Sequence, residues 1–202
     1  SGATDRMGKT ADGTAICDFD PEEIKRKCSV SVAVAPVEWK NVKFNMIDVP
    51  GLFDFEGAVA EGFRAAECAL INISGKSGVA VGSEKAYARA TKAGMAKVIF
   101  VNKLNSESAD FYKVFEQLKT AFGPTVSPIV VPHMNGHQVD CYINLLEYKA
   151  YRYTGTKAEE VPMPDMGHRL EGLRTAISEA IAETDDELME KYFSGEEFTP
   201  EE

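Results

Sequence analysis

Two short runs constrain this chain more than anything else in it: Cys68–Ile73 (CALINI) and Lys97–Val101 (KVIFV). Each is apolar almost throughout and too short for a helix, the pattern of a strand covered on both faces. A Gly-rich loop, Ser74–Gly82, follows the first run. Ser83 then caps a helix reaching about Ala93, which Gly94 stops. After the second run comes Asn102-Lys103-Leu104-Asn105. Ser106 caps the next helix, whose apolar residues Phe111, Phe115, Leu118 and Phe122 recur at helical spacing before Gly123-Pro124 ends it. Strands alternating with helices predict an α/β sandwich around a mostly parallel sheet. Ligands of such folds bind beyond the carboxyl ends of the strands.

Upstream, Asp20 and Pro21 mark a short helix start. Ser29–Trp39 reads as a strand, with Pro36 favouring an edge position. Lys40-Asn41 is a two-residue turn, and Val42–Asp48 returns as the second strand of an antiparallel hairpin. That strand ends in Asp48-Val49-Pro50-Gly51, and Glu56–Glu67 follows as a helix. An Asp at a strand's end, just before a Gly that lets backbone approach a ligand, suits a magnesium-nucleotide site. The same four residues also make an ordinary turn.

The chain has 202 residues, enough for one large domain or a domain with a subdomain, and a net charge of −10. That charge argues against binding nucleic acid through a general basic surface, and no sequence-specific DNA partner is expected. No apolar run approaches a membrane span, and no signal peptide opens the chain. Cys17, Cys28, Cys68 and Cys141 form no C-x-x-C pair and fit reduced thiols of a cytoplasmic protein. Ser1 in place of an initiator Met suggests a processed or excised piece.

Ala3–Thr10 (ATDRMGKT) resembles a phosphate-binding loop, but two residues leave no room for a strand before it and Ala-Asp-Gly-Thr is a poor helix start after it. His133, His137 and Cys141 are spaced by four, which would gather zinc ligands on a helix. Gly136 and strand-like flanks speak against a helix there, so no metal site is expected from this triplet. Beyond Pro124 the texture changes. Ser127–Val131 and Val139–Ile143 read as strands about an Asn135-Gly136 turn, and Leu145–Tyr153 carries the chain onward. Thr154–Gly167 reads as loop. An amphipathic helix follows with Leu170, Leu173, Ile177 and Ile181 on one stripe, and then a second helix over Asp185–Tyr192.

The segments "PEEIKRKCSVSVAVAPVEW", "NMIDVPG", "VIFVNKLN" and "AETDDELMEKYFSGEEFTPEE" together resemble bacterial elongation factor G, a translational GTPase, in a divergent branch. The similarity covers nearly the whole chain. It implies an α/β, P-loop GTPase-type doubly wound sheet, incomplete because the first strand and phosphate loop lie upstream, with an appended α/β subdomain. Residues 1–123 would be the GTPase core fragment and 124–202 the inserted subdomain. By resemblance, Ser29 and Asp48 bind magnesium, the Gly51 amide senses the terminal phosphate, and Asn102, Lys103 and Asn105 occupy the guanine-recognition motif. The implied cofactors are GTP or GDP with Mg²⁺, and the implied partner is the ribosome.

Two positions depart from the family pattern. Leu52 stands where a His orients the attacking water, and Leu can do no proton chemistry. Asn105 stands where an Asp accepts two hydrogen bonds from guanine, which one amide cannot do. No catalytic residue is therefore assigned. Two classes follow: a GTP hydrolase coupling hydrolysis to ribosomal translocation, whose fragment alone is inactive, and a non-hydrolysing ribosome-binding module. The absent central strand predicts that the chain closes the gap in its sheet, rearranges, or pairs with another copy.

Overall fold

The computed structural model describes Thr4, residues 8–136, 138–154, 157–199 and Glu202. It divides into two compact units, one of residues 1–71 with 85–98 and one of residues 72–84 with 99–202.

In the first unit, α1 (Pro21–Arg26) opens where expected, with Asp20 as cap and Pro21 in the first turn. The Asp20 carboxylate accepts from the Glu22 amide at 2.8 Å, while Glu23 reaches back to the Asp20 amide at 3.1 Å. β1 (Ala33–Trp39) and β2 (Val42–Asp48) form the antiparallel hairpin, with Ala33 opposite Asp48 and Trp39 opposite Val42. Lys40 and Asn41 both take positive φ, 46° and 63°, as a tight hairpin turn requires. β1 starts four residues later than its sequence suggests. The backbone amides of Val30 and Ser31 are taken by the Glu23 carboxylate, at 2.9 and 3.1 Å, so they do not enter a ladder. α2 (Glu56–Ala65) follows β2 after a single 3₁₀ turn.

β3 (Cys68–Ser74) and β4 (Ala96–Asn102) pair with each other. The helix between them, α3 (Val81–Lys92), begins two residues before Ser83, whose hydroxyl instead accepts from the Ala80 amide at 2.9 Å. Gly94, at φ 65°, stops it as expected. The expectation that β3 and β4 are covered on both faces is corrected. Ile71 and Ile73 are buried, but Leu70 is 45% exposed, Val98 49% and Phe100 52%. Their uniform apolarity suits burial on two sides, whereas the structure buries alternate residues of β3 and leaves alternate residues of β4 only half-buried. Among the described residues β1–β2 and β3–β4 are separate two-stranded sheets.

The second unit holds α4 (Phe111–Phe122) and a four-stranded antiparallel meander: β5 (Val130–Asn135), β6 (Gln138–Asn144), β7 (Lys149–Thr154) and β8 (Lys157–Val161). The cap of α4 is Asp110, which accepts from the Lys113 amide at 3.0 Å, and not Ser106. β8 lies where the sequence reads as loop. Its composition (KAEEV) is that of a charged edge strand, which hides the alternation. α5 (Arg169–Ala182) lays Leu170, Leu173, Ile177 and Ile181 on the core formed with Val131, Cys141, Ile143, Leu145 and Ala150. α6 (Asp186–Ser194), capped by Asp185, follows. No helix among the described residues is long and apolar enough to cross a membrane.

Candidate functional site

Asp48 ends β2 because the next residues cannot continue the ladder: Pro50 has no amide hydrogen, and it is buried. Cys17 and Asp18, from the segment before β1, act on this carboxylate, and Ser29 is tied to Asp18. The Cys17 thiol lies near enough to act on it as a donor. Asp18, only 7% exposed, lies close enough to act on its charge. Ser29 donates its hydroxyl to Asp18 at 2.7 Å. Partial burial, and then the Asp18 charge, push the Asp48 carboxyl above the ordinary carboxylate range, against the opposing Cys17 hydrogen bond. Burial, and then Asp48 and Asp18, likewise raise the Cys17 thiol.

Among the described residues no lysine or arginine pairs with Asp18 or Asp48. Two carboxylates that act on one another's charge and a hydroxyl bonded to one of them, with no cationic partner among the described residues, offer hard oxygen donors that suit a divalent cation. The sequence reading placed Ser29 and Asp48 in such a site, and both stand in this cluster. It missed Asp18 and Cys17. The only signal was their place in a short Asp-rich stretch read as loop and cap.

Glu23 holds the segment together. It is 1% exposed, and amide hydrogen bonds from Val30 and Ser31 hold its carboxyl below the usual range. Ser29 is thereby pinned next to two anchored amides.

Gly51 lies in open space: a Cβ built there meets nothing within 4 Å. Nothing in the chain itself demands glycine at this point. Leu52, 50% exposed, precedes the 3₁₀ turn Phe53–Phe55 and offers no side-chain cap.

In the second unit, the loop after β4 is held by its own backbone. The Asn102 carbonyl accepts from the Gly75 amide at 2.7 Å, and the Gly75 carbonyl accepts from the Asp110 amide at 3.1 Å. The Asn102 side-chain oxygen accepts from the Lys103 amide at 2.7 Å, and Lys103 sits at φ 59°. Leu104 is buried, while Asn102, Lys103 and Asn105 are exposed. Gly75 is required here, since a Cβ would fall 2.7 Å from Leu104 Cδ2 and 3.0 Å from the Asn102 carbonyl oxygen. The three candidate base-contacting residues thus share one tightly braced loop.

The phosphate-loop look-alike falls largely outside the described residues, as Ala3 and Asp5–Met7 do. Lys9 and Thr10 lead into a three-residue 3₁₀ turn rather than an α-helix.

An acidic cluster at the end of β2 and a braced Asn-Lys loop after β4 are each features that nucleotide-binding α/β folds carry at the carboxyl ends of their strands. Residues 1–199 match the family described as the elongation factor Tu GTP-binding domain, and the chain belongs to that family. Among its relatives, it is 34% identical over 194 residues to the elongation factor G-like protein of Mycobacterium tuberculosis, covering 95% of this chain and 26% of that protein. It is 33% identical over 207 residues to elongation factor G of Ureaplasma parvum, covering 100% of this chain and 30% of the relative. A crystal structure of a Thermus thermophilus protein superposes with a TM-score of 0.91 at 35% identity, over 99% of this chain and 30% of that one. The chain thus spans under a third of the length of these proteins. The expected GTPase-type α/β fold and the resemblance to elongation factor G both stand.

Proposed function

We propose that this chain is part of a ribosome-associated translational GTPase that binds GTP or GDP with Mg²⁺ and couples hydrolysis to movement on the ribosome. Residues 1–123 form its GTPase core portion and residues 124–202 an appended α/β subdomain. The observation that carries this reading is the Asp18–Asp48 pair at the carboxyl end of β2, without a lysine or arginine partner among the described residues and with the Ser29 hydroxyl on Asp18. Asp48 and Ser29 hold the magnesium, and Gly51 presents its amide to the terminal phosphate. Asn102, Lys103 and Asn105 face the base. Bound magnesium neutralises phosphate charge; this chain's residues position it. The isolated chain turns over no GTP, and its working compartment is the cytoplasm.

One observation favours a second reading, a non-hydrolysing ribosome-binding module. Leu52 is half exposed beside the cluster-bearing strand, where a side chain able to orient water would be needed.

The test is titration of the chain with a fluorescent GDP analogue in Mg²⁺, alongside its xanthine counterpart, followed by ribosome-stimulated GTP hydrolysis on any longer protein that carries it. Stimulated hydrolysis above background supports the enzyme. Nucleotide binding without stimulation selects the module. Failure of the longer protein to bind nucleotide removes the reading.

A further inference from the structure

The β5–β6 hairpin does what a helix over the same residues could not. In its register His133 lies directly opposite Cys141, and the pairing shifts between His133 and Met134, a bulge that re-aims the side chains beside it. A ring nitrogen of His133, Cys141 Sγ and a carboxylate oxygen of Asp140 all fall within 4.8 Å of one another. His133 Nδ1 is 3.6 Å from Asp140 Oδ2. Metal–ligand bonds of about 2.0–2.3 Å in a tetrahedral site put ligand atoms roughly 3.5 Å apart. The His–Asp edge already has that length.

Two further observations point at this spot. His133 Nδ1 is shut off from solvent and has no hydrogen-bond partner, an orphan that native interiors rarely leave without an ion or water to satisfy it. Asp140 is also held from behind. Arg152 Nη2 donates to its Oδ1 at 2.7 Å, and Arg152 Nε donates to its backbone carbonyl at 3.1 Å. That clamp fixes one carboxylate oxygen and leaves the other facing His133, as outer partners orient metal ligands. Cys141 is 2% exposed and closes the inner side, while His133 and Asp140 side chains retain 27% and 33% exposure and leave an approach from solvent.

We propose that His133, Asp140 and Cys141 form a structural site for a borderline-soft divalent cation of the zinc class, pinning the β5–β6 hairpin. One imidazole nitrogen, one carboxylate oxygen and one thiolate suit Zn²⁺ or Co²⁺ over Mg²⁺ or Ca²⁺, which take oxygen alone. Water completes the fourth position. This site is independent of the nucleotide cluster around Asp48.

The experiment is titration of the 202-residue chain with Co²⁺ alone, read by thiolate-to-cobalt absorption in the near ultraviolet, then displacement by Zn²⁺. One equivalent should bind and give that band. The band should survive in the C17S/C28S/C68S variant and vanish in C141S. H133A and D140N should each weaken binding about tenfold or more, with far-ultraviolet circular dichroism unchanged. These two carry the test if C141S does not fold. No band at saturating Co²⁺, a band kept in C141S, or undiminished affinity in both H133A and D140N would overturn the proposal.

Discussion

The hydroxyl of Ser29 donates a 2.7 Å hydrogen bond to the carboxylate of Asp18, eleven residues earlier in the chain. The hydroxyl proposed to hold magnesium is thus bonded to a carboxylate that also raises the Asp48 carboxyl. Replacing Asp18 by Asn should lower the Asp48 carboxyl toward its ordinary range, because the second-largest cause of its shift is gone. A pH titration of the Asp48 carboxyl carbon by NMR checks this, and an unchanged midpoint would break the link between the two residues.

Asp48 is exposed at the end of β2, yet its carboxyl is held above the ordinary range. A carboxyl raised in the folded state prefers its proton there, so it subtracts from stability as pH rises through its folded pKa. Asp48→Asn should therefore leave the free chain as stable or slightly more so at neutral pH, by no more than about 1 kcal/mol after solvent screening. It should also abolish magnesium-dependent nucleotide binding. Denaturant midpoints at neutral pH measure the first effect; a large loss of stability would contradict the assignment.

Glu23 works in the opposite sense. Its carboxyl is depressed by amide hydrogen bonds, so its stabilisation is present above the unfolded carboxyl pKa of about 4.3 and is lost as pH falls through its lower folded value. Glu23→Gln should cost roughly 1–3 kcal/mol at neutral pH and flatten the acid limb of the stability curve. Urea unfolding at a series of pH values reads both.

Gly75 braces the Asn102–Asn105 loop from across the strand ends. Gly75→Ala drives a methyl against Leu104 and the Asn102 carbonyl, and should destabilise by about 1–3 kcal/mol. Hydrogen exchange should quicken at the Gly75 amide, whose bond to Asn102 would be pushed apart. Gly51→Ala, by contrast, meets nothing in the chain and should leave stability within about 0.5 kcal/mol.

Asn105→Asp restores two acceptor oxygens to the loop. Hydrogen bonds to a charged acceptor are worth roughly 1.5–3 kcal/mol, so guanine nucleotide affinity should rise about tenfold or more. Competition between the fluorescent GDP analogue and its xanthine counterpart measures it, and no gain would remove Asn105 from the base site.

Much of the architecture was legible in the chain alone. Asp20-Pro21 marked the start of α1, Lys40-Asn41 the hairpin turn and Gly94 the end of α3, because each relies on a local constraint of capping or positive φ that a few residues carry by themselves. Of the candidate residues, Asp48 and Asn102-Lys103 stood out because they close apolar runs that read as strands, whereas Ser29 entered only through the resemblance to elongation factor G. Tertiary structure decided what depends on neighbours distant in sequence. It took the amides of Val30 and Ser31 for the buried Glu23 and so shortened β1, and it left Leu70, Val98 and Phe100 uncovered in strands whose composition suits burial. It brought Asp18 and Cys17 to Asp48, and across a bulged hairpin it set His133 beside Asp140 and Cys141. Periodicity reports which face a residue takes along its own element. Only the packed chain determines which other element that face meets.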